Sequence, residues 1–164
     1  MTKFVITSFF ILFLFYQSSL FAFETACKFE EVYDNGQAEQ GFMLLKDKKL
    51  RYQYYDNQLF TIFFKNNDFY LVKNNQTKFF QKIQDNTEVI KELINLAALF
   101  PDIKDNYQSN DLKISIEKSK EHHFIKRISV NSKDMNMSIY FFDCQNQMPH
   151  SRFFNFSPYF PYEF

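Results

Sequence analysis

Between Gly41 and Lys73 short apolar runs alternate with polar turn clusters. The runs are Gly41–Lys46, Leu50–Tyr55, Leu59–Lys65 and Phe69–Lys73, separated by Asp47-Lys48-Lys49, Asp56-Asn57-Gln58 and Asn66-Asn67-Asp68. Aromatic and β-branched runs of this length, punctuated by Asn and Asp, predict consecutive antiparallel hairpins. In the third run a period of two puts Leu59, Thr61 and Phe63 on one face and Phe60, Ile62 and Phe64 on the other. Both faces are apolar. Each must therefore be covered, since a large side chain left in water forfeits ~1.5–3 kcal/mol of burial. A helix can cover one face; the other needs more protein or a ligand.

Upstream, Ala26–Tyr33 predicts a strand, Asp34–Gln37 its turn and Ala38–Lys46 the returning strand, because Asn-Gly between strand patterns favours a tight hairpin. Thr77–Ile83 predicts one further strand. The period then lengthens. Val89, Ile90, Leu93, Ile94, Leu96, Ala97 and Phe100 recur at helical spacing after a cap at Asn86 or Thr87, and Pro101 ends the pattern. This amphipathic helix is either the core helix of the domain or a lid over the concave face of the sheet, and the spacing leaves both open. Strand patterns resume at Leu112–Ile116, Phe124–Val130 and Met135–Phe141, and Ser151–Phe156 predicts a last strand.

Composition changes this picture in three places. Met1-Thr2-Lys3, the uncharged run Phe4–Phe23 and small Ala22 have the form of a secretory signal over 1–22, leaving 23–164 as one domain. If retained, that run is long enough to span a bilayer. Charge is balanced, with 19 basic and 19 acidic residues and no basic run, so nucleic acid has no electrostatic footprint here. In an exported chain the two cysteines, Cys27 and Cys144, read as one disulfide or as two buried thiols. No catalytic constellation is visible. Adjacent His122 and His123, like adjacent Glu30 and Glu31, point to opposite faces of a strand, His150 stands alone, and the two glycines make no phosphate loop. No catalytic residue, metal ligand or cofactor is expected.

In their order along the chain these features resemble the outer-membrane lipoprotein carrier family (LolA-like), over about Cys27 to Pro158. Gly41–Lys46 leading into Leu50-Arg51-Tyr52-Gln53-Tyr54 is similar to the family's Gly strand, Lys-Pro turn and Phe-Arg-Trp-x-Tyr strand. Asn146–Pro149 followed by Phe154-Asn155-Phe156-Ser157-Pro158 is similar to its closing Phe-x-Phe-x-Pro pattern. The resemblance implies an α+β fold: an incomplete, strongly curved antiparallel β-barrel (half-barrel) with an α-helical lid over an apolar cavity. It also implies a monomeric periplasmic carrier that binds the acyl chains of lipoproteins. Such a carrier receives them from an inner-membrane lipoprotein release complex and delivers them to an outer-membrane lipoprotein receptor.

Arg51 falls where the family's arginine holds the lid by bonding to lid backbone; as a plain strand residue it would instead carry a solvated head. The expected cavity residues are Phe42, Leu44, Leu59, Phe63, Phe69, Leu93, Ile94 and Phe100, a set that a one-residue slip in register would exchange for its neighbours. Departures from the family pattern are plain. Asp47 stands in place of the turn proline, Tyr52 in place of the usual Trp, and almost no room remains between Ala22 and Cys27 for a helix before the first strand. The second reading is an exported, disulfide-stapled interaction or lipid-binding domain of the same fold without lipoprotein transfer.

Overall fold

The computed structural model describes residues 24–66, 68–76, 80–83, 92, 99, 103–109, 111–120, 124–133, 135–146 and 150–155. Ten strands run in sequence order: β1 Thr25–Tyr33, β2 Ala38–Lys46, β3 Lys49–Tyr54, β4 Phe60–Lys65, β5 Asp68–Lys73, β6 Phe80–Lys82, β7 Asn106–Ser109, β8 Leu112–Lys118, β9 Ile125–Asn131 and β10 Asn136–Gln145. They form one antiparallel sheet in the order β6-β5-β4-β3-β2-β1-β10-β9-β8-β7. The sheet thus consists of two meanders, β1–β6 and β7–β10, each strand pairing with its sequence neighbour. They are fused where β1 pairs with β10.

Local chemistry sets the turns. The Asn35-Gly36 hairpin is as predicted: Gly36 takes φ 81°, and the Tyr33 amide donates to the Gln37 carbonyl at 2.9 Å. Between β2 and β3 the turn is Asp47-Lys48, both with positive φ (48° and 59°), the conformation of the tight hairpin turn whose twist matches the strands. Asp47 stands where the family that the chain resembles has its turn proline. A proline, locked near −65°, cannot adopt that φ.

The seam between β1 and β10 carries a bulge. The register passes from Ala26↔Gln145 to Lys28↔Phe142, so Cys27 faces both Asp143 and Cys144, and Asp143 takes φ 49°. Cys27 and Cys144 are joined there by a disulfide. This bond is consistent with an oxidising, exported compartment.

Register sorts the side chains into two faces. On one, cross-strand rows read Tyr107–Ile114–Val130–Met137–Tyr33 and Ile116–Ile128–Ile139–Glu31, followed by Phe141–Phe29–Gly41–Tyr54 and Cys27–Met43–Tyr52–Ile62–Leu71. This face is apolar almost from edge to edge and forms the main core. On the other, Ala26, Leu44, Arg51 and Phe63 lie in one row and Lys28, Phe42, Gln53 and Thr61 in the next. Towards β8 and β9 this second face turns polar, with Ser115, Ser129, Ser138, Glu117 and Arg127.

The sheet bends towards its apolar face. Leu71 of β5 and Asn136 of β10 border the same cavity although their strands are five steps apart, about 24 Å on a flat sheet.

The expected fold class is corrected by these observations. In place of a half-barrel closed by an α-helical lid, the described residues make one open ten-stranded sheet, and no helical lid is present among them. The apolar face is filled by its own side chains: its buried residues from all along the sheet form one cluster, within which Phe29 stacks on Tyr52 with centroids 3.9 Å apart and Tyr54 meets both rings edge-on. Of the stretch expected to be the helix only Glu92 and Leu99 are described, Glu92 with helical backbone. Leu93, Ile94 and Phe100 lie outside the described residues. So do residues 1–23, the expected signal, and the His122-His123 pair. Among the described residues no helix is long and apolar enough to cross a membrane.

The expected last strand is also corrected. Ser151–Phe154 is a 3-10 turn whose first residues are capped by the His150 side chain, Nδ1 accepting from the Arg152 amide.

Candidate ligand cavity

A cavity of about 650 Å³ opens where the Asp34–Gln37 hairpin, the end of β3 and the β9–β10 connection meet. Its apolar lining comes from Leu59, Phe60, Ile62, Leu71 and Met135. Its polar rim comes from Asp34, Asn35, Gln37, Glu39, Lys133 and Asn136, and Tyr33 and Tyr54 complete the wall. The volume is that of a site for one small or elongated ligand. Asn74 braces its edge. Buried, it donates to the carbonyls of Tyr54 and Asp56 and accepts from the Thr61 hydroxyl at 2.6 Å, holding the β3–β4 connection against β5.

Behind this wall sits a buried carboxylate. Glu31, only 3% exposed, accepts from Tyr52 at 2.6 Å on Oε1, and from Tyr33 at 2.7 Å and Tyr54 at 2.9 Å on Oε2. Three phenol donors fill most of its acceptor capacity and make the burial of a charge tolerable. Burial first, then the neighbouring carboxylate, push all three phenols above their ordinary range. Gly41 makes the cluster possible. It stands on β2 between Phe29 and Tyr54, and with no side chain on the middle strand the rings of β1 and β3 close over it.

Arg51 lies on the opposite face and is fully buried. Its Nε and Nη2 donate to the Gln53 side chain, Nη1 donates to the Phe153 carbonyl at 3.0 Å, and its Cζ lies 5.0 Å from the Phe63 ring centre. Desolvation lowers its pKa to about 10. The alternative of a solvated head is thus not what the structure shows. The resemblance implies a bond from Arg51 to lid backbone; the carbonyl it bonds here belongs to the 3-10 turn Ser151–Phe154. There Phe153 and Phe154 pack on Ala26, Phe42 and Leu44.

The expected cavity residues are divided among three places. Phe42, Leu44 and Phe63 lie with Arg51 on the second face, and Phe42 and Leu44 pack under the 3-10 turn. Phe69 belongs to the main core, and Leu59 lines the cavity. Sequence reading missed Glu31, Tyr33, Tyr52 and Tyr54. The signal was available: Glu31/Tyr33 and Tyr52/Tyr54 are i, i+2 pairs on strands flanking a glycine-bearing strand. No protein-family model and no curated protein matches this chain. Among the described residues, no three His, Cys, Asp or Glu side chains are placed to hold a metal ion.

Proposed function

We propose that the protein is an exported carrier of acyl chains, and that the cargo is acylated protein moved across the periplasm from the inner to the outer membrane. The observation that carries the binding reading is the cavity of about 650 Å³ entering the apolar side of a bent sheet, walled by Leu59, Phe60, Ile62, Leu71 and Met135. An acyl chain gains ~0.8 kcal/mol for each CH₂ removed from water, so a carrier needs an apolar hollow and no reactive group. The disulfide supports export. The lipoprotein part rests on the resemblance in the β2–β3 segment and on Arg51, which ties the sheet to backbone near the C-terminus. In this reading the donor is an inner-membrane release complex and the acceptor an outer-membrane receptor.

The test is release: purified protein is added to spheroplasts and the supernatant assayed for mature acylated lipoprotein, with native mass spectrometry of the recovered protein. Lipoprotein in a soluble complex supports transfer. Bound acyl lipid without release leaves a lipid-binding domain. A clean apo mass together with no release, while a known carrier works in parallel, defeats the proposal.

A further inference from the structure

Resting on the acyl-binding reading of the same cavity, we propose that it selects amphiphiles whose head is a protonated amine, seated against the hydroxyl oxygens of Tyr33 and Tyr54 with Glu31 behind them. The argument is one of donors and acceptors. Each phenol has a single proton, and those of Tyr33 and Tyr54 are directed at Glu31 Oε2 at 2.7 and 2.9 Å, with the two hydroxyls also within hydrogen-bonding reach of one another. Both residues line the cavity, and with their protons so engaged a ligand that reaches their hydroxyls meets the remaining lone pairs. A phenol that donates to a carboxylate is polarised, and its oxygen becomes a stronger acceptor.

The rim adds to the same sign. Among the described residues Asp34 and Glu39 stand on it as acids beside one base, Lys133. With Glu31 behind the wall, three described carboxylates face that ammonium. An anionic head would meet lone pairs and carboxylates, with Lys133 at the edge. A protonated amine supplies donors to the phenol oxygens and charge to the acids, next to aromatic rings that also favour cations. Below it the tail would run along Leu59, Phe60, Ile62 and Leu71.

Isothermal titration of the exported, purified protein with dodecylamine, dodecanol and dodecanoate at pH 7, below micelle formation, separates the head from the tail. The expected order is amine tightest, at least tenfold over the alcohol, with the acid weakest. Glu31→Gln should bring the amine-to-alcohol ratio close to one. Because a change in the buried cluster can impair folding, the rim pair Asp34→Asn with Glu39→Gln is tested beside it, and the ratio should fall severalfold. Equal binding of the three probes, a preference for dodecanoate, or an unchanged ratio in both variants overturns the amine proposal while leaving the apolar cavity as a binding site. If no probe binds, the acyl-binding reading falls and takes this proposal with it.

Discussion

Gly41 and the tyrosine cluster around Glu31 show how single residues shape this protein. A Cβ at Gly41 would run into the backbone carbonyl of Gln53 on β3 and come within 2.5 Å of Phe29 Cζ. Backbone on one side and a stacked ring on the other leave no soft neighbour to yield. Gly41→Ala should therefore cost about 3 kcal/mol or more, at or beyond the upper end for overpacked cores. Urea unfolding measures it, and a loss below 1 kcal/mol would show that the strands can separate there. The tyrosine cluster makes a second prediction, for alkaline pH. Tyr33, Tyr52 and Tyr54 have folded pKa values raised above the ordinary 10.0, so from about pH 10 upward the folded state holds protons that the unfolded chain releases. Stability is present in full below pH 10 and falls above it. Arg51 acts in the opposite sense. Its pKa, lowered to about 10, lets the folded state lose a proton that the unfolded chain keeps. Three phenols against one guanidinium leave a net fall in stability as pH rises above 10. Part of the phenolate absorbance should accordingly appear only as β-sheet circular dichroism is lost. Complete ionisation of all tyrosines with the sheet intact would contradict this.

At the scale of elements, the β2–β3 turn is the clearest case of a strained connection. Lys48 holds φ 59° with a full side chain, where a left-handed conformation costs ~1–2 kcal/mol in a non-glycine residue. Lys48→Gly should relieve about 1 kcal/mol of that, less the extra freedom glycine gives the unfolded chain, and should raise the denaturation midpoint slightly. A lowered midpoint would mean that the Lys48 side chain makes contacts worth more than the strain. The strands around this turn were legible because their spacing and punctuation are local properties: β2, β3, β4 and β5 fall on the four apolar runs read from sequence. Other elements depend on distant partners and were not legible. Asn106–Ser109 has no apolar run of its own and becomes β7 by pairing with β8. In Ser151–Phe156 the spacing of Phe154 and Phe156 suits one face of a strand, yet the sheet already has β10 beside β1, and Ser151–Phe154 instead turns to place Phe153 and Phe154 on Phe42 and Leu44. Which face carries the cavity was equally hidden. In β4 both faces are apolar, and Phe63 belongs to the face under Arg51 while Phe60 and Ile62 line the cavity. For the cysteines, counting left one possible intrachain pair beside the alternative of two buried thiols, and the structure has the disulfide.

Among the described residues the two meanders pair with one another at one seam. Each meander is built from contacts between sequence neighbours, whereas β1 and β10 meet across nearly the full length of the chain. A sheet of this kind forms its hairpins early, and the distant pairing bears the main loop-closure entropy. The Cys27–Cys144 bond, separated by 117 residues in sequence, lies in that pairing, beside the Lys28–Asp143 ion pair at 2.7 Å. Removing the bond should cost about 2–5 kcal/mol, because the unfolded chain regains the freedom of a very long loop. The loss should not be uniform. Amides of β1 and β10 facing one another should lose exchange protection first in the Cys27→Ala, Cys144→Ala variant, and the pair β2–β3, closed by the Asp47-Lys48 turn, should keep its protection longest. The cavity spans the seam, with Tyr33, Leu59 and Leu71 on one meander and Lys133, Met135 and Asn136 on the other. Ligand bound there should therefore restore part of the lost protection across β1 and β10, since it engages the folded pairing and not the separated meanders. Hydrogen exchange of the cysteine-free variant with and without dodecylamine reads this directly, and protection gained only within β2–β5 would place the ligand on one meander alone.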